Sequence, residues 1–244
     1  MAFTYINKSL HCDGVDLSAI ADQYGTPAYI YSEQILRRNA EVLKQIFIAR
    51  GFQVSYAMKA NSNPTILKLF KTFGFGVDIV SSGEFQMAKY CGFEGTEINF
   101  AGVGKTLPEL DLALDFDIGH FNVESRFELE LLEERARIAG KKAAVLLRLN
   151  PDIDPQTHPH ISTGLKQNKF GMSPEKVRHF LTQAKSYPHI QFDGIHCHIG
   201  SQIIQPQPFY DLIDYLQQFT TSLKEEGIEI THLDLGGGFG VNYE

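Results

Sequence analysis

Short apolar segments alternate with amphipathic ones along most of the chain. The apolar segments are rich in β-branched residues and are bounded by turn residues, a pattern typical of buried parallel strands. The predicted strands are Val54–Ala57, Gly76–Val80, Ile98–Ala101, Gly119–Val123, Ala143–Leu149, Gly194–Ile199 and His232–Leu235.

Helix-start signals fall between these strands. Two capping pairs and two capping boxes mark them, namely Asn63-Pro64, Ser173-Pro174, Thr106 with Glu109, and Ser125 with Glu128. Gly140 suits the end of a helix over Glu124–Ala139. The repeated strand–helix unit predicts a parallel sheet with helices outside it, as a (β/α)8 barrel or as a doubly wound open sheet.

Two regions interrupt the alternation. Residues 1–31 precede the first strand of the repeat and contain two strand-like stretches, Thr4–Ile6 and Ala28–Tyr31, with an Asp13-Gly14 turn. The second region, Asn150–Gly171, is long and polar. Its length predicts a lid over a functional site, with a disordered insertion as the alternative.

Composition and charge restrict the class of partner. The chain has 244 residues, 43% hydrophobic and 21% charged, with a formal net charge of -7. These values are typical of a soluble globular protein and argue against nucleic acid or an anionic membrane as main partner. Cys12, Cys91 and Cys197 form no C-x-x-C pair, which favours the reducing cytoplasm. No apolar run is long enough to span a bilayer.

The segment Tyr56-Ala57-Met58-Lys59-Ala60-Asn61 places a lysine directly after a predicted strand. Ligands of parallel α/β folds bind at the carboxyl ends of the strands. We expect apolar neighbours to desolvate Lys59 and to favour Schiff-base formation with a carbonyl group. The alternative is a surface lysine at a strand end.

A glycine turn follows the last predicted strand. In Asp234-Leu235-Gly236-Gly237-Gly238-Phe239-Gly240, backbone N–H groups can approach a phosphate closely, although the spacing of a dinucleotide-binding motif is not met. Gly102-Val103-Gly104-Lys105-Thr106 resembles the end of a nucleotide P-loop, but Asn99 occupies the position that the motif gives to glycine. We interpret this segment as an ordinary strand–helix loop.

Two histidines, His196 and His198, share one face of a predicted strand. They could serve a metal-dependent hydrolase, but the other strand ends offer a poor ligand set, so we predict no metal site here. Arg148 also ends a strand and requires an anion or an acceptor. Asp78 lies near another strand end, where it could be a structural partner of Arg148, of Lys59 or of a backbone donor.

Five segments together resemble a known family. Tyr56–Asn61, Asp78 with Ser81-Ser82-Gly83-Glu84, Arg148-Leu149-Asn150-Pro151, His196–Ser201 and Gly236–Gly240 resemble, in order, the pyridoxal-phosphate decarboxylases of the alanine-racemase-like barrel fold. The segments His158–Lys166 and Asn168–Gly171 are more specific, and so is the opening from Val15 to Pro27. They resemble the diaminopimelate decarboxylases, a group within that family.

The resemblance implies a role for each matched residue. Lys59 would hold pyridoxal 5'-phosphate covalently, and His198 would stack on the pyridine ring. Ser201 with Gly236, Gly237 and Gly238 would bind the phosphate. Arg148 would approach the phenolic oxygen of the ring, and Asp78 and Glu84 would orient groups near Lys59.

The resemblance also implies parts that do not occur before Glu244. The family's barrel has an eighth strand with a Glu that pairs with the pyridinium nitrogen, and a C-terminal β-domain with an active-site Tyr. We therefore expect a (β/α)8 TIM-like barrel of the alanine-racemase type over residues 32–244, truncated before its last strand. Residues 1–31 are expected to join the C-terminal β-domain.

The leading hypothesis is decarboxylation of meso-2,6-diaminopimelate to L-lysine by a homodimer, with this portion alone inactive. Decarboxylation of another basic amino acid or polyamine precursor is one alternative. A non-catalytic pyridoxal-phosphate-binding barrel and a metal hydrolase are the others.

Overall fold

A computed structural model describes residues 2–154 and 170–242. A small antiparallel sheet comes first, with β1 (Phe3–Ile6), β2 (Ser9–Cys12) and β3 (Val15–Asp16) in sequential order. Asp13 and Gly14 have positive φ and make the predicted turn between β2 and β3. Helix α1 (Leu17–Tyr24) follows, with Asp16 as its N-cap.

The seven predicted strands of the repeat are all present and parallel, and they lie in chain order across one sheet. They are β4 (Ser55–Ala57), β5 (Gly76–Ile79), β6 (Ile98–Phe100), β7 (His120–Val123), β8 (Ala143–Arg148), β9 (Ile190–His196) and β10 (His232–Asp234). The helices on the outside are α2 (Glu33–Ile46), α3 (Pro64–Lys71), α4 (Ser82–Tyr90), α5 (Leu107–Asp115), α6 (Arg126–Ala139), α7 (Pro174–Thr182) and α8 (Gln207–Glu225).

Side chains alternate between the two faces of the sheet. Val77, Ile79, Phe121 and Val123 are among the outward residues buried against the helices. The residues between them are polar, and Asn122 is only 1% exposed although it faces the inside of the sheet. The outer face therefore supplies the hydrophobic core, whereas the inner face carries polar side chains.

The sheet is strongly curled. Asn122 on β7 lies 3.5 Å from Asp234 on β10, measured from Nδ2 to Oδ2, although β8 and β9 lie between them. Neighbouring strands are about 4.8 Å apart, so strands three places apart in a flat sheet would be roughly 14 Å apart. The curl is that of a barrel wall, which confirms the barrel and excludes the doubly wound open sheet.

The predicted helix starts are confirmed with one difference. Asn63 and Ser173 accept hydrogen bonds from backbone N–H groups of the helices that follow them, and Thr106 with Glu109 forms a capping box. Ser125 caps α6, but the Glu128 carboxylate accepts from the N–H of Glu124 instead of Ser125. The helix begins at Arg126, two residues later than predicted, and ends at Ala139, where Gly140 caps it as predicted, in a left-handed conformation.

Two strand predictions are wrong in their details. Ala28–Tyr31 has no strand partner within residues 2–154 and 170–242, and Tyr29 is 90% exposed. Strand β9 covers Ile190–His196 instead of Gly194–Ile199. The polar residues Gln191 and Asp193 interrupt the apolar pattern at its beginning, so the predicted start of the strand was too late. Within the part of the chain that the structure describes, no helix is long and apolar enough to cross a membrane.

Candidate functional site

Lys59 lies at the carboxyl end of β4, on a short 3-10 turn over Met58–Ala60. Met58 is buried in the core, but Lys59 itself is exposed. The predicted desolvation of this lysine by apolar neighbours is therefore wrong for the described residues, because Lys59 lies on a turn that follows an edge strand. Its amine is accessible to a ligand at the mouth of the barrel.

Asp78 lies on β5 beside β4, with Ala57 as its partner in the ladder. Burial, followed by the negative charge of Asp234, raises the pKa of Asp78 from 3.8 to about 7, while Lys59 acts in the opposite direction. Its Oδ1 is buried and has no hydrogen-bond partner among the described residues. Asp78 and Asp234 interact although their strands are five places apart in the sheet, so the curl brings them together.

Arg148 ends β8 and forms a buried ion pair with Glu124, 2.7 Å from Nη1 to Oε1. The sequence had left Arg148 open as a partner of Asp78, but the structure pairs Arg148 with Glu124. Phe170 lies under the guanidinium, 5.4 Å from Cζ to the ring centre. Glu124 was not among the predicted site residues. Its position directly after a strand, before the helix cap Ser125, was the only indication in the sequence that it lies at the site.

His198 lies just beyond β9 and faces the glycine turn. Burial, followed by the positive charges of Arg148, His196 and Lys59, lowers the pKa of His198 from 6.5 to about 4. The N–H of Gly237 donates to His198 Nδ1 at 3.4 Å. The imidazole is therefore neutral at physiological pH, which suits packing against an aromatic ring and gives it no positive charge toward a ligand.

The glycine turn packs against the loop that follows β9. A Cβ on Gly236 would lie 2.4 Å from the Cys197 carbonyl oxygen, and a Cβ on Gly238 would lie 1.9 Å from that of Gly200. Both glycines have positive φ, so no other residue fits either position. Gly237 differs, since nothing lies within 4 Å of the place where its Cβ would be.

Ser201 is exposed beside this turn, with its Cα 3.4 Å from the position of a Cβ on Gly238. The N–H of Gly236 is already bound to Asp234 Oδ1 at 2.8 Å, which holds the turn in shape. Ser201 and the open side of Gly237 both lie beyond the carboxyl ends of β9 and β10.

Glu84 is a helix-cap residue in this structure. Its carboxylate accepts a hydrogen bond from the N–H of Val80 at 2.6 Å, and its charge contributes to the raised pKa of Asp78. Glu84 therefore lies near the predicted site, but its described contact is with the backbone at the start of α4.

The P-loop-like segment is not a nucleotide site. Lys105 is 1% exposed, and its Nζ donates to the carbonyl oxygens of Gly102 and Asn122 and to Glu128 at 2.6 Å. The three N–H bonds of the ammonium group are therefore used inside the protein, which confirms the interpretation as a strand–helix loop.

Most of the predicted lid, residues 155–169 within Asn150–Gly171, lies outside the described residues. Its two ends are described and run side by side. The N–H of Met172 donates to Arg148 O at 2.8 Å, and the N–H of Asn150 donates to Met172 O at 2.9 Å. The segment therefore leaves and rejoins the barrel beside Arg148, at the end of the sheet where the candidate site lies.

Residues 32–244 match the family model described as the pyridoxal binding domain of the pyridoxal-dependent decarboxylases. The chain belongs to this family. This agrees with the resemblance of the five motifs.

Named relatives and a solved structure agree with this assignment. The chain is 41% identical to a diaminopimelate decarboxylase of Aquifex aeolicus, over 98% of this chain and 57% of the relative. It is 44% identical to that of Vibrio cholerae, over 96% and 56%. The structure of diaminopimelate decarboxylase from M. jannaschii in complex with L-lysine has a TM-score of 0.91 at 37% identity, covering 100% of this chain and 58% of that one. The chain thus spans little more than half the length of these relatives.

The residues present fit a phosphate-bearing pyridine ring. The space beside Gly237 is open, the neutral imidazole of His198 lies next to it, and Lys59 and Arg148 provide positive charge near the same mouth. The buried Asp78 Oδ1 has no partner among residues 2–154 and 170–242, and a bound ligand or water could provide one. Each of these features lies at the carboxyl end of a strand.

Proposed function

We propose that this chain forms the cofactor-binding part of a pyridoxal-phosphate-dependent decarboxylase that converts meso-2,6-diaminopimelate to L-lysine and carbon dioxide. The observation that carries the proposal is the convergence of Lys59, Asp78 and His198 at one barrel mouth, where the charges of Lys59 and Asp234 act on the pKa of both Asp78 and His198. The names of the full-length relatives and the lysine-bound M. jannaschii structure support the choice of substrate.

Pyridoxal phosphate, when bound, supplies a conjugated ring that accepts the electron pair left when a carboxylate departs as carbon dioxide. Lys59 would hold the cofactor covalently through its amine. The Ser201 hydroxyl and the N–H of Gly238 would bind its phosphate beside the open side of Gly237, since the N–H of Gly236 is held by Asp234 and that of Gly237 by His198. Neutral His198 packs on its ring, where a charged imidazolium would repel the neighbouring cations.

Arg148 and Asp78 set the polarity of the site. Glu124 fixes the guanidinium of Arg148 in place, and Arg148 would face an oxygen of the ring. Asp78 titrates near neutral pH and can hold a proton close to Lys59.

A covalent adduct at Lys59 is the first test. We expect borohydride reduction of the chain with pyridoxal phosphate, followed by peptide mass spectrometry, to place the label on Lys59. Lys59→Ala should abolish the label, whereas Lys185→Ala, at an exposed position far along the chain, should leave it unchanged. A label that stays in Lys59→Ala would overturn the assignment.

The substrate needs a separate test with a longer form of the protein. We expect turnover of meso-diaminopimelate to exceed that of lysine and ornithine, and we expect the 244-residue chain alone to show none. Preferential turnover of ornithine or lysine would favour a polyamine-precursor decarboxylase. Binding of the cofactor without any turnover would favour a carrier.

Residues 1–31 are proposed to join a C-terminal β-domain, and the whole protein is proposed to be a cytoplasmic homodimer. The family match begins at residue 32, and every residue of β1 is exposed, Tyr5 by 76%. Asp13 ties this segment to the start of α2 by accepting from Ser32 Oγ at 2.8 Å and from the N–H of Gln34 at 3.1 Å. Size-exclusion chromatography with light scattering on a longer form checks the dimer.

A further inference from the structure

A second cluster of chemically competent side chains lies at the opposite end of the barrel from Lys59. His120 is the first residue of β7, His232 is the first residue of β10, and Asp193 lies on β9 next to them. One ligand atom from each of the three lies within 4.8 Å of the others. His120 Nε2 is 3.3 Å from Asp193 Oδ2, and the two imidazole ring centres are 4.8 Å apart.

The position of Asp193 depends on an irregularity in the sheet. Phe192 pairs with Val145 and Gly194 pairs with Leu146, so Asp193 is an extra residue in β9. Such bulges redirect side chains. Here the bulge directs the carboxylate of Asp193 toward His120. The curl of the sheet places His232 of β10 next to His120 of β7.

The hydrogen bonds around the cluster orient its ligand atoms. Thr231 Oγ1 lies 3.0 Å from the Asp193 carbonyl oxygen, which can only accept, so the hydroxyl proton is used there. The same Oγ1 lies 2.9 Å from His232 Nδ1 and must therefore accept from it. This selects the His232 tautomer that has its lone pair on Nε2. Gln191 Nε2 donates to Asp193 Oδ1 at 2.8 Å, which leaves Oδ2 directed at His120.

We propose that His120, Asp193 and His232 bind one Zn²⁺ ion, or a similar divalent transition-metal ion, at the amino ends of β7, β9 and β10. Two imidazoles and one carboxylate are a usual ligand set for zinc, and a water molecule would complete a tetrahedral site. The hydrogen bond between His232 and Thr231, and the one that Asp193 accepts from Gln191, are of the kind that support such sites.

The ion would tie β10 to β7 across the curled sheet. Three ligands from three strands make it a structural link, and the site does not depend on the pyridoxal-phosphate proposal, because it lies at the other end of the strands. No metal site was predicted from the sequence, on the ground that the carboxyl ends of the strands offer a poor ligand set, and this proposal departs from that prediction with residues other than His196 and His198.

The direct test is a metal titration of the chelator-treated chain without pyridoxal phosphate. We expect one equivalent of Co²⁺ to give visible d–d absorption bands and one equivalent of Zn²⁺ to displace it. Asp193→Asn and His232→Ala should lose the bands. Thr231→Val should weaken binding by about 10- to 100-fold through the loss of its hydrogen bond to His232.

Three controls separate this site from other histidines of the chain. His179→Ala removes an exposed histidine of α7, and His198→Ala removes the one at the candidate cofactor site. A double change of His158 and His160 to Ala removes a pair that lies outside the described residues. All three control variants should keep the Co²⁺ spectrum. The proposal would be overturned if any of them lost the spectrum while His232→Ala kept it.

Stability provides an independent reading, because a ligand that binds only the folded chain raises its melting temperature. We expect saturating Zn²⁺ to raise the melting temperature of the unmodified chain and to leave that of His232→Ala unchanged. Near-UV circular dichroism shows that each variant is folded before titration. An equal rise in both proteins, or no stoichiometric binding to the unmodified chain, would reduce the cluster to an ordinary hydrogen-bonded group.

Discussion

Arg148 and Glu124 form an ion pair at the carboxyl ends of adjacent strands, with 2.7 Å between Nη1 and Oε1. Val123 pairs with Leu147 one step earlier in the ladder. Glu124, directly after β7, is therefore in register with Arg148, the last residue of β8. The side chain of Glu124 is 3% exposed and that of Arg148 is 11% exposed. Neither charge can turn to bulk water if the other is removed.

Glu124→Ala should therefore destabilise the chain by about 3 to 5 kcal/mol, because it leaves a buried guanidinium without its partner. Urea unfolding measures the change. Glu134→Ala is the matched control, since Glu134 forms an exposed pair with Arg137 on α6 and its loss should change the free energy of unfolding far less. Similar effects of the two substitutions would show that the Arg148 charge is not desolvated.

Replacement by alanine should cost far more stability at Gly238 than at the neighbouring Gly237. Gly238→Ala should cost more than about 2 kcal/mol or prevent folding, because its Cβ would collide with the Gly200 carbonyl at positive φ. Gly237→Ala should stay within about 1 kcal/mol of the unmodified chain, since its Cβ meets no atom within 4 Å. Thermal unfolding without cofactor compares them, and equal costs would show that the turn is packed differently.

Asp78 should make stability fall as pH rises. Its pKa is raised to about 7 in the folded chain from 3.8, so between these values the folded state binds a proton that the unfolded state does not. The contribution is present below about pH 4 and is lost as pH rises through 7. Asp78→Asn should match the unmodified chain near pH 4 and exceed it by about 2 to 4 kcal/mol at pH 8.

Urea unfolding across this pH range measures the Asp78 effect. Asp214→Asn, which removes an exposed carboxyl group from α8, should leave the pH profile unchanged. A profile for Asp78→Asn that runs parallel to that of the unmodified chain would mean that Asp78 is ionised throughout.

Burial of His198 should lower the stability of the folded chain at acid pH. Its folded pKa of about 4 lies below the ordinary value of 6.5, so the unfolded chain binds a proton first and stability falls as pH drops from 6.5 to 4. A histidine NMR titration should show one imidazole that stays neutral to about pH 4, and this resonance should be absent from His198→Gln. Titration of that resonance near pH 6.5 would contradict the burial of the ring.

The strand and helix pattern was readable from the sequence because it depends on neighbours in the chain. Val77, Asp78 and Ile79 alternate with a period of two, and so do Phe121, Asn122 and Val123, which is the signal of a strand with one apolar face. Capping residues such as Asn63 and Ser173 act on N–H groups two or three positions away, so they too are local. The motif order indicated the family for the same reason.

Only the tertiary structure decided which polar residues meet. Asn122 and Asp234 are 112 positions apart in sequence, and their contact exists because the sheet curls. The bulge at Asp193 and the partner of Arg148 likewise follow from pairing between strands, on which chain spacing carries no information. Even the exposure of Lys59 depends on the turn after an edge strand, whereas the apolar run before it indicated burial. Local patterns thus determined the elements, and long-range packing determined the chemistry of the sites that they carry.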